Sequence, residues 1–449
     1  MKKILSVALS AVMLTGLISG CGGNETANKD GVTTVEIWSG DISAKQCWME
    51  LADEFNNGEG KEKGIEVEFK FSSNHGDEVD VATQNDQLPD MVAPSFLQIA
   101  QMVKSGDIVA LEDIEGLKDY VANYKTEKIE DQNTYNGKVY SLTTTTMTAG
   151  LIYNKDLFKE AGIVDENGEA KPPATLDEMV EVAKKLTNKD KGVYGYSFPL
   201  SFGTYYTLWC PARNVAEDLT IIDYDNLTYD YTPWFKLFDY MVKMRDDGSL
   251  FPGADTLTND TSRAYFSEGL VGMMPGMSWD VGVLTTQFIA DCDWDVAPFP
   301  RFNEEDDYPT YQSPGGLFYK TKNGAAKGEK IAEVYKWLTS SEVITRFYEK
   351  GVKIPYDPEM LAEDAKCDVP QFESFTKLVD DRYKSNKISP KLSIEGDNTD
   401  TLMKKIWAGD MTTDEAIKDI NTRASAAFKK AYDAGEVDIE HIKEVNGIQ

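Results

Sequence analysis

The chain has 449 residues, of which 41% are hydrophobic and 11% aromatic, and a net charge of −30. That balance is globular rather than disordered, and the length accommodates two domains of ordinary size. So acidic a chain is repelled by phosphate backbones, which argues against nucleic acid, and with only His75 and His441 to supply imidazole a His-rich metal centre or a Ser-His-Asp triad is disfavoured.

At the N-terminus, Lys2 and Lys3 precede an uncharged run from Ile4 to Ile18, followed by Ser19 and Gly20. This is the layout of a secretory signal, and the run is shorter than the roughly 20 apolar residues of a spanning helix. The quartet Ile18-Ser19-Gly20-Cys21 resembles the bacterial lipobox, in which the cysteine is lipidated and the chain is cut before it. Residues 1–20 are then a lipoprotein signal peptide, Cys21 the lipidation site and 21–31 a polar, flexible tether. The expected location is the extracytoplasmic face of the cell membrane, held by the lipid. An ordinary signal peptide with a coincidental cysteine is the plainer alternative. Cys47, Cys210, Cys292 and Cys367 are far apart and form no C-x-x-C, so up to two disulfides or free thiols are both open.

The body alternates strand-like and helix-like segments, the pattern of an α/β protein. Val35 to Trp38 reads as a strand. Ser43 to Phe55 reads as a helix with Ser43 and Gln46 as a capping box and Trp48, Leu51, Ala52 and Phe55 on its apolar face. Ile65 to Phe71 alternates strictly, and Asp90 to Ala93 is a third strand. Ligands in such sheets bind at the carboxyl ends of the strands, which directs attention to Ser39-Gly40-Asp41, Ser72-Ser73-Asn74 and Pro94-Ser95-Phe96. After the turn signal Asn136-Gly137, the Thr-rich stretch Ser141 to Thr148 favours extended chain. A strand, an Asn turn and a helix closed by Gly162 follow, then a capping box at Thr175 and Glu178. Further helices are expected to begin near Pro233, Asn259, Glu329 and Thr412.

Several segments, taken in order, carry a resemblance: "VEIWSGD", "GIEVEF", "LPDMVA", "YNGKVYSLTTTTMTAGLIYNKDLFKEAGI", "PPATLDEMVEVAKKLT", "AYFSEGLVGMMPGMSWD", "WDVAPFPRF" and "SPGGLFYKTKN". The series resembles the extracellular solute-binding proteins of ABC importers, in the sugar-binding group that includes maltose-binding protein, over about residues 32 to 430. The resemblance implies a two-lobed, periplasmic-binding-protein-like α/β fold with ligand in the cleft between lobes. Mapped by motif, residues 32–143 and 313–356 form one lobe, 146–312 and 357–449 the other, and Thr143–Thr146 a hinge strand. It further implies a monomeric receptor that binds a carbohydrate without a cofactor and serves an ABC transporter permease.

A sugar presents hydroxyls and patches of C–H, so its site needs aromatic planes with carboxylates and amides. Trp48, Trp234, Trp294, Trp337 and Trp407 fall in core patterns. Trp279 differs: it follows Pro275 to Ser278, read as a turn after the strand "VGMM", where the family places a stacking aromatic. Asp280 beside it suits either a hydroxyl acceptor or a helix N-cap. Tyr205, Tyr206 and Trp209 suit an amphipathic wall. Trp38, Ser39, Asp41, Asn74, Ser95 and Phe96 occupy strand-end loops, and Asn74 sits in a loop whose bland reading is an exposed turn. Gly315 and Gly316 match a loop where the family's backbone approaches the ligand, and Tyr356 and Glu395 map to further cleft loops. A secreted glycan-active enzyme would need an acid–base pair of carboxylates, and no segment isolates one. The same fold with a non-sugar solute is the other alternative.

Overall fold

The computed structural model describes residues 31–94, 97–200, 221–380 and 389–448. Cys21 with the signal and most of the tether, and Ser95, Phe96, Tyr205, Tyr206, Trp209 and Cys210, lie outside the described residues. Alternation in β1 (Thr33–Ser39) and β2 (Ile65–Phe71) buries Val35, Ile37, Ile65 and Val67. The two strands pair in parallel from Thr33 opposite Ile65 to Ser39 opposite Phe71, and β3 (Met91–Val92) lies parallel on the other edge of β1. A hairpin, β4 (Thr134–Tyr135) and β5 (Lys138–Val139), turns through Asn136 and Gly137, both at positive φ, as a tight two-residue turn demands.

The later strands are β6 (Thr145–Asn154), β7 (Tyr194–Tyr196), the small hairpin β8 (Ile221–Asp223) and β9 (Thr228–Asp230), β10 (Val271–Met277), β11 (Trp294–Ala297), β12 (Gln312–Gly315), β13 (Tyr319–Lys320) and β14 (Ile354–Pro355). They sort into a four-stranded sheet, β13-β3-β1-β2, and a six-stranded one built on β11-β6-β10-β7, with β12 and β14 paired to β6. Helices flank both, and the architecture is the two-lobed α/β fold expected from the sequence.

Each sheet has its own core. On the first, helix Lys45–Asn57 inserts Trp48, whose ring stacks on Phe69 at 5.1 Å and meets Phe347 edge-on at 4.6 Å. On the second, helix Leu176–Leu186 starts with the full Thr175–Glu178 capping box and turns Leu176, Met179, Val180, Ala183 and Leu186 inward. Helices Thr232–Asp247 and Thr413–Asp433 close over that core through Phe235, Phe238, Ala416 and Ile420.

Some local expectations are corrected. The Ser43–Gln46 capping box does not form: Asp41 caps a 3-10 turn, Ile42–Ala44, through the Ala44 N–H, and the Ser43 hydroxyl is spent on Asp41. Pro275 and Gly276 are not a turn. They continue β10 against β6, and Gly276 is required because a Cβ there would lie 2.2 Å from Ile152. Cys47, Cys292 and Cys367 are free thiols.

The Thr-rich run is extended, as its β-branched residues dictate, and it crosses from one sheet to the other. The first half of β6 is flanked by β12, with Gly315 opposite Thr145, and by β14, with Ile354 opposite Thr146. The hydroxyls of Thr146 and Thr148 donate to the carbonyls of Ser313 and Tyr311, at 3.3 and 2.9 Å, and the Tyr356 N–H donates to Thr144. Gly316, at φ +68°, lies so close to this strand that a Cβ would sit 1.8 Å from Thr144 Oγ1. Gly316→Ala combines a left-handed backbone with a clash, and should cost roughly 2–4 kcal/mol, read as a lowered urea midpoint.

Candidate functional site

Parallel strands open their binding loops at their carboxyl ends, and both sheets have such an edge. In the first sheet it comprises Ser39–Asp41 after β1, Ser72–Asn74 after β2 and Ala93–Pro94 after β3. In the second, β7 and β10 are parallel and end at a recess lined by Pro199, Asn259, Ser262, Arg263, Met277 and Trp279. The crossover half of β6 connects the two edges.

On the first edge, Ser39 is buried and its hydroxyl accepts the Asp41 N–H at 3.1 Å. Burial alone would raise the Asp41 carboxyl, but the ion pair with Lys353 and the hydrogen bonds from Ser43 and Ala44 outweigh it and hold the group below its usual value. Trp38 is half-buried: its indole N–H donates to Glu36 at 2.6 Å, and the Lys70 ammonium sits 3.7 Å over its ring. Asn74 is exposed, immediately before helix His75–Gln84, and does not cap it with its side chain. His75 is buried with Nε2 2.9 Å from the Ala93 carbonyl, which ties the loop after β2 to the loop after β3, and burial pushes its pKa down. The stretch read as an exposed turn is therefore anchored at its end.

On the second edge, Trp279 is half-buried and packs against the cluster of Ala149, Met277 and Tyr311, as Met147 does. Asp280 is neither a free carboxylate nor the N-cap of the segment after it. Its Oδ1 accepts Nε of Arg263 at 2.8 Å and also binds the second terminal nitrogen of that guanidinium, while Oδ2 turns back to the Met277 N–H at 2.7 Å. Arg263 reaches Asp260 as well, so two carboxylates face one guanidinium in a wall whose inner pair is only 15% and 7% exposed.

Gly315 and Gly316 belong to the crossover, and the close approach they permit is to Thr145 and Thr144 of their own chain. Tyr356, just past β14, donates its hydroxyl to Glu127 at 2.5 Å, and burial followed by that carboxylate raises its pKa. Glu395 is exposed in a turn held by Arg423, which donates to its carbonyl at 2.6 Å and to that of Asp397. Trp279 and Asp280 are thus brought together in one recess, Ser39, Asp41 and Asn74 lie along the edge of the first sheet, and Glu395 belongs to neither. Arg263, Asn259, Met147 and Tyr311 were missed; of these, only Met147 left a signal, as the interruption of a Thr run. Among the described residues no cluster of His, Cys, Asp and Glu could hold a metal.

A family model for bacterial extracellular solute-binding proteins matches residues 50–374. The chain belongs to that family. Among its relatives, a maltotriose-binding protein of Pyrococcus abyssi is 24% identical over 388 residues, covering 82% of this chain and 74% of the relative. An sn-glycerol-3-phosphate-binding periplasmic protein of Brucella abortus is 24% identical over 392 residues, covering 80% of this chain and 82% of the relative. The maltose/maltodextrin-binding domain of Bdellovibrio bacteriovorus bound to maltotriose superposes with a TM-score of 0.66 at 20% identity, over 89% of this chain and all of that one. The family and the fold are those of binding proteins.

The Arg263–Asp280 pair supplies a direct test of what this wall does. Asp280→Ala removes the buried partner of Arg263 and leaves it only the exposed Asp260, and should lower stability by roughly 1–3 kcal/mol by urea denaturation. An unchanged midpoint with a fall in ligand affinity would instead make Asp280 a ligand acceptor.

Proposed function

We propose that this solute-binding protein is a lipid-anchored monomeric receptor that takes an oligosaccharide between its lobes and delivers it to an ABC transporter permease, without chemistry on the sugar. One observation carries the reading: the recess at the ends of β7 and β10 sets an indole beside an ion-paired polar wall of Arg263, Asp260 and Asp280. A ring face for stacking plus fixed donors and acceptors is what a polyhydroxylated, uncharged ligand needs. The maltotriose named for two of the similar proteins supports the same class.

The lobes are assigned as 32–143 with 313–356 and 146–312 with 357–449, around a Thr143–Thr146 hinge strand, and closure is a population shift drawn by ligand contacts with both lobes. Trp279, Ser39, Asp41, Asn74 and Trp38 are the assigned contacts on the two edges, with Asp280 setting the wall. The glycerol phosphate named for other relatives favours a second reading, an anionic solute. Arg263 speaks against it, because its charge is already answered by Asp260 and Asp280. Those two carboxylates, held in ion pairs, also lack the freedom of an acid–base pair for glycan hydrolysis.

The test is a thermal-shift panel of maltotriose, raffinose, xylotriose and glycerol 3-phosphate, with the sugars recovered afterwards. A binding sugar raises the melting temperature by mass action and returns unchanged, whereas shortened products would make the protein an enzyme and a shift with glycerol 3-phosphate alone would make its ligand anionic. Trp279→Ala should weaken the sugar by about tenfold or more with little change in melting temperature. For the anchor, Cys21→Ser should move the protein from the detergent phase to the aqueous phase in Triton X-114 partitioning, while the native chain stays with the detergent.

A further inference from the structure

Between Ser141 and Asn154 every side chain is buried except one, Met147. It stands in the crossover half of β6, opposite Ser313 of β12. Its neighbours in sequence, Thr146 and Thr148, spend their hydroxyls on the carbonyls of the flanking strand. Alternation places Met147 on the other face. There it packs, as Trp279 does, against the buried cluster of Ala149, Met277 and Tyr311, and its methyl lies over Gly315, 4.0 Å from where a Cβ would be.

A run of stiff, β-branched, hydrogen-bonding residues is interrupted at this point by a long, unbranched, polarizable one. The extended backbone itself makes no demand for an unbranched residue at 147. Met147 shares its buried cluster with Trp279, and Trp279 and Met277 of that group line the recess at the ends of β7 and β10. We propose that Met147 is a specificity-determining ligand contact, an apolar floor on the crossover strand that meets the C–H face of the sugar while Trp279 meets it from the side. This rests on the carbohydrate reading above. Thioethers conform to irregular surfaces at little cost, so the floor adapts to the ring it receives and rewards sugars with a continuous apolar face.

The experiment is isothermal titration of the intact mature chain and of Met147→Ala, Met147→Leu and Trp279→Ala with maltotriose, raffinose and xylotriose, alongside urea denaturation of each. Met147→Ala should lose about five- to tenfold in affinity for the sugar that binds, and Met147→Leu should stay within about twofold, both with native urea midpoints. Met147→Ala binding as tightly as the native chain, while Trp279→Ala is weakened, overturns the floor and leaves the sugar reading standing. A loss in Met147→Ala matched by an equal loss of stability overturns it too, because the residue would then be packing alone. No binding of any of the three sugars by the native chain removes the carbohydrate reading and this contact with it.

Discussion

The side-by-side pairing of β12, β6 and β14 at Thr145–Thr148 is the constraint on which the rest depends. A chain that crosses between two sheets must satisfy the backbone groups of each crossing segment, and an isolated extended strand would leave them to water. Here the segments satisfy one another, and threonine hydroxyls add side-chain bonds to the carbonyls of Ser313 and Tyr311. The result is a narrow ribbon, paired on both sides at Thr145 and Thr146 and on one side as far as Thr148. Gly316 is the tightest point of that ribbon, where its neighbour's hydroxyl occupies the place of a side chain.

From that ribbon the geometry of both edges follows. The strands β1, β2 and β3 bring Ser39, Asp41 and Asn74 to one side, and β7 with β10 brings Trp279 and the Arg263 wall to the other. Electrostatics on each edge is settled internally: Lys353 answers Asp41, Lys70 lies on Trp38, and Arg263 answers both Asp260 and Asp280. A chain of net charge −30 thus holds the charged groups of these edges in ion pairs and hydrogen bonds that fix their orientation.

Much of the fold was legible in the sequence because its signals are local. Strict alternation marked β2, the Thr175–Glu178 box marked a helix start, and a run of threonines marked the extended crossover. The errors came where another partner outbid the expected one. Asp41, two residues before Ser43, took its hydroxyl and capped a 3-10 turn ahead of the helix, in place of the expected box. Pro275 and Gly276 look like a turn, yet close packing on Ile152 makes them strand. The site was read less well for the same reason. Trp279 was expected at a strand end and lies just past β10, whereas the charged partner of Asp280 lies 17 residues away in Arg263 and cannot be inferred from spacing.

β6 has one further consequence, since the same unbroken strand serves the crossover in its first residues and the middle of the second sheet in its last. Ala149 to Asn154 pair with β10 on one side and β11 on the other. With the hinge proposed at Thr143–Thr146, a small rotation there would not be absorbed in a loop. It would be carried by β6 as a stiff arm into the sheet, so that displacement would grow with distance from the pivot and Met147, the next residue along, would move least.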